Sequence, residues 1–110
     1  MQRDREYIID ILESAKLAID YIGEKSKEDF FLDNQCQDAV VRRIEVIGEA
    51  ARRISDETRT AYTELPWSDM IGMRNLMVHE YDDIDIAIVW ETVINDLPLL
   101  IDSLEKILDT

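Results

Sequence analysis

The sequence predicts an all-α protein, an up-and-down bundle of four to five helices. Apolar residues return at steps of three and four along nearly the whole chain, the repeat of one helix face. No segment shows the strict alternation of a half-buried strand. Breaks in the helical pattern fall at Gly23, at Leu65-Pro66 and at Asp82-Asp83. With 110 residues, 46% of them hydrophobic, the chain can fill one core, and residues 1–110 are read as a single domain.

Residues 5–23 read as the first helix, with Ile8, Leu12, Ala15, Ile19 and Ile22 on one face and Gly23 as its stop. Residues 24–34 are a polar connection in which Phe30, Phe31 and Leu32 form a short turn of helix that lids the core. A second helix runs from Asn34 or Gln35 to Ser55, with Val40, Ile44, Ile47, Ala51 and Ile54 as its stripe. Its Glu49 and Arg53 are spaced for an i, i+4 ion pair in the favourable order, and Gly48, Ala50 and Ala51 invite a close backbone neighbour. Residues 56–65 read as a short helix and loop. Pro66 suits a first helical position, with Ser68 and Asp69 in the opening turn of a helix that reaches His79. Asp82-Asp83 breaks the pattern and can cap the last helix, from near Ile84. That helix carries Ile86, Trp90, Val93, Leu97, Leu100, Leu104 and Ile107, and Pro98 should kink or restart it.

Several function classes are excluded at once. The longest apolar runs are too short for a membrane span, and the charged N-terminus Met-Gln-Arg-Asp-Arg-Glu has no apolar leader core. One cysteine, Cys36, precludes an intrachain disulfide and fits a reducing cytoplasm. One cysteine and one histidine also argue against zinc. The net charge is −13, which repels nucleic acid unless positive charge is gathered locally. It is gathered: residues 42–74 hold six arginines against six acids, whereas residues 75–110 hold one lysine against nine acids.

The chemistry-bearing stretch is Met73-Arg74-Asn75-Leu76-Met77-Val78-His79-Glu80-Tyr81, which contains the chain's single histidine. Arg74 is a permanent cation able to fork onto a phosphate. His79 can exchange a proton near neutrality, and Tyr81 offers a phenolic hydroxyl. Asn75 and His79 are i, i+4 and share a helix face. From Arg74 to His79 an ideal helix turns by about 140° and rises about 7.5 Å, so one chain builds only a loose constellation. An unwound helix end or a second copy across a two-fold axis would tighten it. Such residues can cleave RNA by acid–base chemistry, the imidazole taking the ribose 2′-hydroxyl proton and the guanidinium steadying the phosphoryl oxygens. On spacing alone, a structural reading stays open: His79 ends a helix, Arg74 pairs with an acid and Tyr81 packs a corner.

Three blocks carry a family resemblance. Pro66-Trp67-Ser68-Asp69-Met70-Ile71-Gly72-Met73-Arg74-Asn75-Leu76-Met77-Val78-His79-Glu80-Tyr81 resembles the signature of the HepT-like branch of the HEPN superfamily. Ile47-Gly48-Glu49-Ala50-Ala51-Arg52-Arg53-Ile54 resembles its Gly-Glu-Ala-Ala helix, and Val89-Trp90-Glu91-Thr92-Val93 through Asp96-Leu97-Pro98 fits downstream. The resemblance implies a HEPN-type bundle that dimerises with its Arg-x4-His motifs facing a shared cleft. It implies a metal-independent endoribonuclease, the toxin of a type VII toxin–antitoxin pair. Arg74 and His79 would be catalytic, Asn75 supporting, and Tyr81 the acceptor of AMP from an MntA-type nucleotidyltransferase antitoxin. The chain itself would need no cofactor, ATP being used by that partner; RNA would be the substrate, with no DNA and no membrane involved. The alternative is a non-catalytic nucleotide-binding or adaptor subunit that holds a minimal nucleotidyltransferase.

Overall fold

The computed structural model describes the backbone of residues 2–79 and 85–109 and the side chains of residues 3–73 and 85–109. Its helices are α1 (Gln2–Ile22), α2 (Lys27–Phe31), α3 (Asn34–Arg53), α4 (Asp56–Ala61), α5 (Trp67–His79), α6 (Ile86–Glu91) and α7 (Leu97–Leu108). A π-helical turn, Thr92–Asp96, joins α6 to α7 into one rod. No strand occurs among the described residues.

The predicted stripes form the core. On α1, Ile8, Leu12, Ala15 and Ile22 are buried, but Ile11 and Ala18 are buried completely while Ile19 is only half-buried. The buried face is therefore wider than the stripe read from spacing, because α1 touches two neighbours, α3 and α7. Gly23 ends α1 at φ +54, a left-handed conformation that costs other residues about 1–2 kcal/mol. On α3, Val40, Ile44, Ile47 and Ala51 are buried, with Gly48 and Ala50 beside them, and Ile54 is buried just past its end. Those small residues let α3 lie between α1 and α5.

Caps hold the short connections. Ser26 accepts from the N–H of Asp29 at 3.1 Å, and Asp33 accepts from that of Cys36 at 3.0 Å, satisfying donors that helix starts leave orphaned. The five-residue α2 can bury only one side. Phe30 is fully enclosed, its ring 5.5 Å from that of Trp90, whereas Leu32 is 85% exposed. Of the three residues expected to lid the core, Phe30 alone does so fully. At the far end of α3, Nη2 of Arg59 donates to the carbonyls of Ala51 and Arg52, both at 3.0 Å. A cation there also suits the negative end of the helix dipole. Glu49 lies 3.8 Å from Arg42, so the ion pair expected with Arg53 is made instead two turns back, on a surface where such pairs contribute little.

α5 begins at Trp67, one residue after the expected start, and the Pro66 carbonyl accepts its first bond, from Met70 at 3.0 Å. The indole of Trp67 donates to the Tyr62 carbonyl at 2.9 Å. The cap expected of Asp82-Asp83 lies outside the described residues; α6 is capped by Asp85, which accepts from Ala87 at 3.0 Å and from Ile88 at 3.4 Å. Pro98 restarts the helix as expected: it stands in the first turn of α7, directly after the π-helical turn. The N–H of Leu97 bonds to the carbonyl of Thr92, five residues back. This wider turn carries the chain past a residue that has no N–H and whose ring would strike the carbonyl four residues earlier. Val89, Val93, Leu97, Leu100, Leu104 and Ile107 consequently face the core on both sides of the turn.

Candidate functional site

The site helix is α5, and its position follows from burial at its start. Leu65, Trp67 and Met70 enter the core, which presses α5 along α3. The backbone stays helical through His79, so the motif is not tightened by an unwound end before that residue. The side chains of Arg74, Asn75 and His79 lie outside the described residues, as does all of Tyr81. Register places the first three nonetheless. Position 74 is seven residues on from Trp67 and four on from Met70, the two buried residues among the helix's described side chains. Position 79 is seven on from Gly72 and eleven on from Ser68, with Asn75 on the same stripe. Arg74 and His79 thus occupy different sides of one continuous helix, as the helical turn of about 140° requires.

Ser68 and Gly72 border a groove that spacing alone did not reveal. The bundle's long elements make three lines of contact, α7 with α1, α1 with α3, and α3 with α5. Between α5 and the α6–α7 rod no comparable line exists among the described residues. This seam holds a volume of about 650 Å³, bordered from α5 by Asp69, Met70, Gly72 and Met73 and from the rod by Ile88, Thr92, Asp96, Leu99 and Leu100. Of its apolar side chains only Leu100 belongs to a core stripe predicted from the sequence. Leu99 is 69% exposed and Ile88 44%, so the stripe of the rod runs out of helix to pack against. The signal that existed was Leu99 itself, one residue too early to join Leu97, Leu100 and Leu104 on their face.

A second cluster was also missed. Asp4, in the first turn of α1, is only 5% exposed. It accepts from the Ser55 N–H at 3.2 Å, the Ser55 hydroxyl at 2.5 Å and the Thr58 hydroxyl at 2.6 Å. Burial by itself would raise the carboxyl's pKa, but the hydroxyl and backbone donors together hold it below its ordinary value of 3.8. Ser55 Oγ also accepts from the Thr58 N–H at 3.2 Å, capping α4. The cluster ties the start of the chain to its middle and is a structural device. Nothing local in the sequence separates Asp4 from its charged neighbours.

Cys36 is no nucleophile: its thiol is buried, donates to the Tyr21 carbonyl at 3.4 Å, and is pushed up in pKa by burial. Among the described residues no group of three or more His, Cys, Asp or Glu gathers as a metal site, and no helix is long and apolar enough to cross a membrane. The helix that α5 packs against carries exposed cations, Arg42 and, in its last turn, Arg52 and Arg53.

Comparison with known proteins bears on this helix directly. Residues 11–107 match the family model described as ribonuclease HepT-like. A protein of Methanocaldococcus jannaschii, named for a gamma-glutamylcyclotransferase and an inferred RNase, is 38% identical over 110 residues; the match takes in 99% of this chain and 50% of that one. The chain thus spans about half the length of that relative. A protein of Thermococcus cleftensis named as a probable ribonuclease HepT is 36% identical over 103 residues, 94% of both chains. An inferred RNase of Caldanaerobacter subterraneus subsp. tengcongensis is 34% identical over 108 residues, 98% of this chain and 96% of its own. No solved structure matches the chain.

Proposed function

The chain belongs to the ribonuclease HepT-like family, and from that premise we propose that it is a metal-independent endoribonuclease whose reacting groups are Arg74 and His79. The observation that carries the reading is the Arg74-x4-His79-x-Tyr81 motif inside the matched residues, with positions 74 and 79 on one continuous helix. Neutral His79 takes the proton of a ribose 2′-hydroxyl, and the resulting alkoxide attacks the adjacent phosphorus. The bond to the 5′-oxygen breaks, that oxygen takes up a proton, and the products carry a 2′,3′-cyclic phosphate and a 5′-hydroxyl. Arg74 stabilises the charge on the phosphoryl oxygens, with Asn75 as a supporting polar group. DNA has no 2′-hydroxyl and resists this route.

Two copies serve this chemistry better than one. Since Arg74 and His79 sit on different sides of a continuous helix, a homodimer that brings two motifs to one cleft lets the arginine of one chain meet the histidine of the other. Arg52 and Arg53 at the end of α3 supply phosphate contacts in a chain that is otherwise acidic. The protein acts as the toxin of a toxin–antitoxin pair in the cytoplasm. Its antitoxin is an MntA-type nucleotidyltransferase, which uses ATP while the toxin itself needs no cofactor. The Tyr81 oxygen attacks the α-phosphorus of ATP, a P–O bond forms and pyrophosphate leaves. The adenylyl group then puts a bulky anion close to Arg74 in sequence, where an RNA phosphate would bind.

The net charge of −13 favours one competing reading, a catalytically idle adaptor that holds the nucleotidyltransferase. A single-turnover assay separates the two: the chain and its His79→Ala variant are incubated with mixed-sequence RNA in excess chelator. Cleavage ending in 2′,3′-cyclic phosphate, abolished in His79→Ala, is expected. Equal cleavage by both proteins, or none by either, refutes the ribonuclease reading. Intact mass after co-expression with the partner then reads the second half. Mass gain in adenylyl steps, absent in Tyr81→Phe, is expected.

A further inference from the structure

The groove between α5 and the α6–α7 rod is an incomplete seam of the bundle, and its chemistry defines what completes it. Its floor is apolar, with Met70, Met73, Leu99 and Leu100 contributing, and Leu99 and Ile88 leave large parts of their side chains in water. Among the described residues its charged lining residues are Glu64, Asp69 and Asp96, all acids, and no basic residue lines it. A Cβ placed at Gly72 would meet nothing within 4 Å, so the α5 backbone is open to close approach there.

We propose that this groove docks a basic amphipathic helix of a partner protein. Such a helix lays aliphatic side chains from positions i, i+3 and i+4 on the floor and sets lysines or arginines against the acidic rim. RNA is disfavoured, because its phosphates would face three carboxylates. A second copy entering the same groove symmetrically would bring acid against acid. Ser68 and Gly72, on the groove, share their helical stripe with positions 75 and 79. The docked helix therefore runs beside the helix that carries the ribonuclease motif. The groove's apolar floor and acidic rim are independent of RNA cleavage, so the docking and the ribonuclease reading can fail separately.

The probe is a fluorescein-labelled peptide of about fourteen residues, four helical turns, with leucines at i, i+3, i+4 and i+7 and lysines elsewhere. Its counterpart carries glutamates in place of the lysines. Fluorescence anisotropy with the full chain is expected to show binding of the lysine peptide and not of the glutamate peptide. Leu99→Glu, Gly72→Leu and Asp96→Lys each weaken it by about tenfold or more, the scale of losing one interface anchor. Neutralising Glu6, Asp10 and Glu13, exposed acids on α1, weakens it less than about threefold, since their effect is only long-range and screened. Retained helical circular dichroism and urea midpoint confirm that each variant folds, and Gly72→Leu removes nothing from the groove, so it reports on filling alone. Equal losses from groove and α1 variants would reduce the binding to unspecific attraction and overturn the proposal. Self-association in sedimentation velocity that Leu99→Glu and Gly72→Leu both abolish would also overturn it, by showing a second copy in the groove.

Discussion

Asp4→Ala removes the acceptor shared by three donors, and its cost can be worked from the geometry. Hydrogen bonds to a charged group contribute about 1.5–3 kcal/mol each where no substitute partner exists. Substitutes exist in part. The Ser55 hydroxyl lies 3.3 Å from the Thr58 hydroxyl, and the two can pair with each other once the carboxylate is gone. The Ser55 N–H, at 3.2 Å from Asp4, has no such recourse. Adding a few tenths for a negative charge lost from the first turn of α1, the expected destabilisation is about 2–3 kcal/mol at neutral pH. Asp4→Asn keeps an acceptor oxygen and should cost about half as much. The sign of the pH dependence follows from the lowered pKa. A carboxyl held below 3.8 in the folded state contributes stability in full above its unfolded value and loses it as pH falls through the folded one. Urea unfolding of wild type and Asp4→Ala should therefore differ at neutral pH and converge well below pH 3.8. A gap under about 0.5 kcal/mol at pH 7 refutes the argument, as does one that persists unchanged in acid.

Two further outcomes test the packing. Phe30→Ala should destabilise by about 3–5 kcal/mol, because its ring is fully enclosed and packs at a tilt against Trp90; Leu32→Ala, at an exposed site, should stay within about 0.5 kcal/mol in the same urea series. Gly72→Ala should raise stability by up to about 1 kcal/mol in thermal unfolding, since it replaces a helix-interior glycine where an added methyl touches nothing.

Helix faces were legible in the sequence where large apolar residues mark the repeat. The stripe expected on α7 is its buried face, and every stripe residue expected on α3 is buried, with Cys36, Gly48 and Ala50 beside them, since a 3.6-residue repeat shows plainly when polar residues fill the other sides. On α1 the reading was too narrow, because Ile11 and Ala18 pack where a second neighbour arrives and periodicity cannot say how many neighbours a helix has. Features made by residues distant in sequence were invisible. Asp4 meets Ser55 across 51 positions, and neither residue type signals a partner at that range. The groove was invisible for the opposite reason, since a missing contact leaves no periodic mark. The motif was legible as residue types, and α5 fixes where Arg74, Asn75 and His79 fall along its register. Tyr81 lies outside the described residues, and its part in the chemistry rests on the motif.

The π turn before Pro98 makes residue number, more than residue identity, the constrained quantity in this part of the chain. Ile94, Asn95 and Asp96 are exposed, so each can change in kind without disturbing the interior. Deleting any one of them would close the wide turn into an ordinary α-helix, which keeps the downstream residues near their present facing but brings the Pro98 ring against the carbonyl four residues earlier, at a cost of about 3 kcal/mol. Descendants of such a gene can drift at Ile94 and Asn95, yet the loss of a single codon here would be tolerated only together with a replacement of Pro98.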